Sequence, residues 1–322
     1  MTIACKPYRA PAWLPGGHAQ TIWPLLIKPR PLTLRRERWD TPDGDFIDID
    51  FLDGPPAAPR LVLFHGLEGS SRSHYATAAA RACRAAGWRF ALPHFRGCSG
   101  ELNCRPRGYH SGDSGEIDWI LRRLLAADRG RPLCAAGVSL GGNALLKWAG
   151  ERGPAAAEAV TGVAAICAPL DLAACGHHLA RGFNRVYTRH FLATMKARSA
   201  ARLRCFPGLF DEARMLRAAN LYEFDDAVTA PLHGFAGTGD YWRRCSAKPW
   251  LAAISVPALA VNPKNDPFLP AACLPGAADV SAAVRLEHPA AGGHAGFVSG
   301  AFPGNLDWLP QRLLHFFLHE TS

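Results

Sequence analysis

No stretch of this 322-residue chain approaches the roughly twenty consecutive apolar residues that span a bilayer. The opening Met-Thr-Ile-Ala-Cys-Lys-Pro-Tyr-Arg also lacks the apolar core of a secretion signal, so the expectation is a soluble cytoplasmic protein. Lysine is scarce, six residues against thirty arginines. These basic residues are spread along the chain, so the formal charge of +9 marks no nucleic-acid site and predicts at most peripheral contact with membrane lipid. The ten cysteines include no Cys-x-x-Cys pair, which removes the commonest zinc and redox spacings, and they are too sparse for a disulfide scaffold. They read as small buried residues of a reducing compartment. No repeat or long linker divides the chain, and 48% hydrophobic residues can bury one large core. A single domain over residues 1–322 is expected.

What is present alternates. Leu34 to Asp40 and Phe46 to Phe51 flank Pro42-Asp43-Gly44 and predict an antiparallel hairpin. Leu61 to Phe64 reads as a strand, His74 to Ala86 as a helix ending at Gly87, and Trp88 to Leu92 as a strand. Ser114 to Ala127 carries Ile117, Ile120, Leu121, Leu124 and Leu125 at helical spacing, and a strand from Leu133 follows. Ala159 to Ile166, Val256 to Val261 and Val280 to Leu286 read as later strands, and Leu306 to His319 as a closing helix. This order predicts an α/β fold with a mostly parallel central sheet and helices on both faces. Residues 171–251 show no clear strand and several helical stretches, among them Phe191 to Ala200 and Asp211 to Ala219, so a helical cap inserted between late strands is expected. Its aromatics, Phe183, Tyr187, Phe191, Phe206, Phe210, Tyr222 and Phe224, are candidates to line an acyl pocket or to form the cap's own core.

Gly137-Val-Ser139-Leu-Gly141 follows the apolar run at Leu133 and precedes the helical run Asn143-Ala-Leu-Leu-Lys-Trp-Ala. A serine on a sharp turn between strand and helix projects its hydroxyl beside helix N-terminal amides, and glycines two residues either side remove side chains that would collide. A serine hydroxyl is a weak nucleophile at neutral pH and needs a base, and the base needs an orienting acid. His294, in the glycine-rich loop Ala291-Gly-Gly-His-Ala-Gly-Phe after the last expected strand, is the candidate base. Asp266, in Asn262-Pro-Lys-Asn-Asp-Pro after the strand ending at Val261, is the candidate acid, with Asp171 as its rival. The backbone amides of Leu140, directly after the serine, and Leu67, in His65-Gly-Leu-Glu-Gly, are the candidate oxyanion donors. His65, at a strand end, reads as structural. His110, Asp113, His177 and His178 show no recognised metal spacing, and helix capping by Ser111, Asp113 or Ser114 accounts better for that segment. No cofactor is expected.

These motifs together resemble the YheT-like branch of the α/β-hydrolase superfamily (AB hydrolase family 4), whose eukaryotic relatives are the ABHD1/ABHD3-type lipid hydrolases. The resemblance runs through Pro-Gly-Gly-His-Ala-Gln-Thr-Ile-Trp-Pro (15–24), His-Gly-Leu-Glu-Gly-Ser (65–70), Phe-Arg-Gly-Cys-Ser-Gly-Glu (95–101) and Tyr-His-Ser-Gly-Asp (109–113). It continues through Gly-Val-Ser-Leu-Gly-Gly-Asn (137–143), Phe-Asp-Asp-Ala-Val-Thr-Ala-Pro (224–231) and Gly-Gly-His-Ala-Gly-Phe (292–297). It implies a Ser139, Asp266, His294 triad, a helical cap, and carboxylesterase activity on small acyl esters of short or medium chain. The alternatives are an acyltransferase or thioesterase using the same triad, and a non-catalytic binding protein on the same fold.

Overall fold

The computed structural model describes residues 6–128, 131 and 133–321. A short helix, α1 (Gly17–Ile22), precedes strands β1 (Arg35–Asp40) and β2 (Phe46–Leu52). The two strands pair antiparallel about the turn at Gly44, whose φ of 73° suits glycine. Strand and helix then alternate: β3 (Arg60–Phe64), α2 (His74–Ala85), β4 (Arg89–Pro93), α3 (Ser114–Ala127), β5 (Leu133–Val138), α4 (Leu140–Arg152) and β6 (Val160–Ile166). Helices α5 (Leu172–Leu179), α6 (Arg185–Cys205), α7 (Glu212–Arg217), α8 (Leu221–Phe224), α9 (Ala230–Leu232) and α10 (Thr238–Cys245) follow. The chain then returns to the sheet with β7 (Ala258–Val261) and β8 (Val284–Glu287) and closes with α11 (Trp308–His319).

The described strands form one eight-stranded sheet in the order β1-β2-β4-β3-β5-β6-β7-β8. Antiparallel pairing is confined to β1 with β2 and β2 with β4, and every pairing from β4 to β8 is parallel. Parallel strands bury both faces, which is why residues 61–64 of β3 and the whole of β5 are continuous apolar runs instead of alternating ones. On one face, Ile117, Ile120 and Leu121 of α3 and Leu145 and Trp148 of α4 pack on the sheet. On the other, Ala76, Ala79 and Cys83 of α2 meet Leu313, Phe316 and Phe317 of α11. Burying each large apolar side chain contributes about 1.5–3 kcal/mol, so the two layers together fix where the strand ends lie. Because β3 to β8 run the same way, the loops after them open on one edge of the sheet, where ligands of open α/β sheets bind.

Some boundaries differ from the sequence reading. The last strand starts at Val284 and not Val280, because residues 280–283 form a turn in which the Val284 amide donates to the Ser281 carbonyl. The penultimate strand starts at Ala258, just after Pro257, which has no amide to donate. The helix expected over Phe191 to Ala200 is the middle of the longer α6, which runs on until Phe206-Pro207-Gly208. Among the described residues, no helix is long and apolar enough to cross a membrane.

Candidate active site

Ser139 joins β5 to α4 with φ 53° and ψ −121°, a conformation that non-glycine residues adopt only when their surroundings impose it. The turn is tight. A Cβ at Gly137 would lie 2.4 Å from the Gly141 carbonyl oxygen, and one at Gly141 would lie 2.5 Å from the carbonyl oxygens of Phe64 and His65. The Ser139 amide donates to the Ile166 carbonyl of β6 at 2.8 Å, and the Asn143 amide donates back to the Ser139 carbonyl at 3.1 Å. The serine therefore stands at the N-terminus of α4, where the first amides and the helix dipole favour negative charge.

The loop after β3 passes beside this turn, and a Cβ at Gly66 would lie 3.2 Å from that of Ser139. Two hydroxyls brace the loop, one from the start of α2 and one from the segment before α3. The Gly66 amide donates to the Tyr75 hydroxyl at 2.9 Å, and the Glu68 amide donates to the Tyr109 hydroxyl at 3.0 Å. The Leu67 amide lies between these two anchored neighbours, and Leu67 and Leu140 both border the pocket described below. His65 has the structural setting expected of it: Nδ1 donates to the Gly66 carbonyl at 2.8 Å and Nε2 accepts from the Phe95 amide at 3.0 Å. Complete burial, with His94 nearby, pushes its pKa down to about 3, so the imidazole stays neutral.

Asp266 and His294 lie in the loops after β7 and β8, and His294 Nδ1 donates to Asp266 Oδ2 at 2.8 Å. The Asp266 side chain is fully buried and its Oδ1 accepts from the Phe268 amide at 2.8 Å, so both carboxylate oxygens are engaged. The His294 ring is 11% exposed and stacks on Phe268 with centroids 4.0 Å apart. Asp171, the rival acid, instead caps α5 by accepting from the Ala174 amide at 3.0 Å.

The loop that carries His294 is held from the far end of the chain. Thr21 Oγ1 accepts from the His294 amide at 2.8 Å, and Gln20 Oε1 accepts from the Gly292 amide and from Asn265 Nδ2, each at 2.9 Å. Asn265 Oδ1 in turn accepts from the Gly293 amide at 3.1 Å. Contact is so close that a Cβ at Gly296 would lie 2.0 Å from the Gln20 carbonyl oxygen, and one at Gly17 would lie 1.9 Å from that of Asn265. From the other side, His74 Nε2 donates to the Ala295 carbonyl at 2.9 Å and the Ala295 amide donates to Cys167 Sγ at 3.1 Å. Tyr75, Tyr109, Thr21, Cys167 and Gln20 carry no catalytic signature in the sequence, although Gln20 and Thr21 lie in the segment 15–24 and Tyr109 in the segment 109–113. Positive φ at Glu68, Cys167 and Ala295 as well as Ser139 places strained backbone in four segments around one point.

Ser139 and His294 border the same pocket, whose walls come from the sheet edge and from the helices between β6 and β7. Of the seven aromatics considered for an acyl pocket, Phe191 and Phe224 line it. Phe183 and Tyr222 are exposed, Tyr187 stacks on His18, and Phe210 packs against the small core around Met215. Trp242 and Tyr241 of α10 line the pocket as well. Gly176 admits Trp242, since a Cβ there would fall 2.4 Å from the indole ring. Asp113 caps α3, its carboxylate accepting from the Glu116 amide. Among the described residues, the donor atoms close enough to share a metal ion belong to Cys167, Asp266 and His294. Those atoms already bond one another's loops, and burial holds the Cys167 thiol far above its ordinary pKa, so this set suits hydrogen bonding better than metal ligation.

Comparison with known proteins agrees with this architecture. The family model described as alpha/beta hydrolase fold matches residues 59–301. The chain is 38% identical over 305 residues to YheT of Escherichia coli (strain K12), a protein provisionally named an esterase, covering 92% of this chain and 88% of that one. It is 26% identical over 325 residues to mouse phospholipase ABHD3, covering 98% of this chain and 79% of that one. Among solved structures, mouse alpha/beta hydrolase domain-containing protein 10 superposes with a TM-score of 0.54 at 14% identity, over 89% of this chain and 100% of that one. Est1E from Butyrivibrio proteoclasticus, with ferulic acid bound, gives 0.55 at 15% identity, over 88% and 98%. At such identities the two structures speak for the fold, whereas the family model and the extended match to YheT speak for descent. This protein is a member of the α/β-hydrolase superfamily and belongs to its YheT-like branch.

Proposed function

We propose that this protein is a serine carboxylesterase that cleaves acyl esters of short to medium chain through an acyl-enzyme. The observation that carries the reading is the 2.8 Å hydrogen bond from His294 to buried Asp266, beside a pocket that the strained Ser139 also borders. The Asp266 carboxylate fixes the His294 tautomer with its proton on Nδ1 and leaves Nε2 as the base. His294 takes the Ser139 proton as Oγ attacks the ester carbonyl, and the oxyanion that forms is received by the Leu67 and Leu140 amides. Those donors are preorganised by the Tyr75 and Tyr109 anchors and by the start of α4, so little reorganisation is needed as charge develops. His294 then protonates the departing alcohol, and water activated by the same imidazole releases the acid.

In this reading residues 171–251 act as a cap, with Phe191, Phe224 and Trp242 receiving the acyl chain. The names of the relatives, an esterase and a phospholipase, are compatible with an acyl ester as substrate. The test is an acyl-chain series of p-nitrophenyl esters from acetate to palmitate. Turnover should peak at butyrate to octanoate and fall off at palmitate, and absence of turnover across the series would remove the assignment.

A further inference from the structure

The pocket bordered by Ser139 and His294 has a charged end formed by α6. Arg198 and Arg202, one helical turn apart, both line it. Arg198 is engaged, its Nη1 donating to Glu68 Oε1 and to Cys98 Sγ, each at 2.9 Å. Arg202 is different. The residue is 7% exposed, yet among the described residues its guanidinium makes no ion pair or hydrogen bond. The guanidinium lies against glycine backbone at ordinary contact distance: a Cβ at Gly108 would lie 3.4 Å from Nη1, and one at Gly97 would lie 3.7 Å from Nη2. Burial first, and then the like charge of Arg198, pull its pKa below the ordinary arginine value, against smaller opposing contributions from Tyr109, Cys98 and Asp45.

The acids bordering the pocket do not supply that compensation. Asp225 is taken up by Thr229 Oγ1 at 2.6 Å and Trp242 Nε1 at 2.9 Å. Glu68 Oε1 receives Arg198 and the Tyr109 hydroxyl, while its Oε2 is buried without a partner. His233, whose Nε2 is also unpartnered, borders the same end and is held neutral by burial and by His110. Arg198 and Glu68 pair with each other, which leaves Arg202, among the described residues, as a cation at this end with no carboxylate bonded to it. An unpaired charge taken out of water is strongly unfavourable, and a planar guanidinium is suited to bind carboxylate or phosphate oxygens in pairs.

We propose that Arg202 binds an anionic group of the substrate, a carboxylate or a phosphate, so that the enzyme selects esters carrying a negative charge away from the carbonyl that Ser139 attacks. This rests on the serine-hydrolase reading above. The test compares kcat/KM for neutral p-nitrophenyl butyrate, for mono-p-nitrophenyl glutarate with a carboxylate on the acyl side, and for 4-(butyryloxy)phenyl phosphate with a phosphate on the leaving group. At least one charged ester should exceed the neutral one, and which one does identifies the anion. In Arg202→Met the charged-to-neutral ratio should fall about 10- to 100-fold, mainly through KM, and Arg202→Lys should recover part of it. A wild-type enzyme that turns over the neutral ester but prefers neither charged one, or an Arg202→Met ratio equal to wild type, would overturn the proposal and leave the esterase reading standing. Calorimetric titration of the wild-type protein with inorganic phosphate and with glutarate needs neither turnover nor a variant. Binding of one anion supports the site even if every ester is inert, and binding of neither overturns it.

Discussion

Two histidines show how position decides what one side chain does. His65 has both ring nitrogens committed to backbone groups, donating to Gly66 and accepting from Phe95, and its pKa is driven down to about 3. His294 keeps one nitrogen on Asp266 and its ring at the pocket wall. The His65 shift has a definite sign in stability. Its folded value lies below the ordinary 6.5, so the unfolded chain takes the proton first as pH falls. The stabilisation is fully present above about pH 6.5 and is lost progressively as pH falls toward 3. Chemical denaturation between pH 7 and pH 5 should therefore show a smaller acid-induced loss in His65→Gln than in the wild type. At neutral pH the variant should be less stable by about 1–3 kcal/mol, because a glutamine cannot both accept from the Phe95 amide and donate to the Gly66 carbonyl in the imidazole's geometry. Equal acid-side slopes would contradict the structural role.

Helix α1 has only six residues and yet governs two loops near the other end of the chain. Gln20 ties Gly292 to Asn265, and Thr21 holds the His294 amide, so one element sets the relative position of the segments bearing Asp266 and His294. Gln20→Leu should leave the protein folded and lower kcat about 10- to 100-fold with a smaller change in KM, since a displacement near 1 Å at a reacting group can cost about a hundredfold. Steady-state kinetics beside a melting curve checks this, and an unchanged kcat would deny α1 its positioning role. The role was not legible beforehand for a physical reason. Serine after an apolar run and before a helical one is a local pattern, and so is histidine among glycines after a strand, whereas Gln20 meets Gly292 across 272 positions of sequence. Tyr109 and Cys167 escape for the same reason, because each acts through a partner that only the folded chain brings near.

At the scale of the molecule, the parallel run from β4 to β8 turns local signals into one site. Loops after β3, β5, β6, β7 and β8 leave the same edge of the sheet, so Leu67, Ser139, Cys167, Asp266 and His294 converge although they span most of the sequence. Apolar strand runs and helical spacing made this sheet readable from composition and order alone. The pocket wall was less readable, because an aromatic in a helix reads the same whether it faces the pocket, as Phe191 does, or stands exposed, as Phe183 does. In the proposed mechanism this convergence makes Ser139 a nucleophile. Intact-protein mass spectrometry after treatment with a fluorophosphonate tests it most directly. The wild-type chain should gain a single phosphonyl group, mapped by peptide analysis to Ser139, and Ser139→Ala should gain none while remaining folded. Undiminished labelling in Ser139→Ala, or an inert wild-type protein, would contradict it.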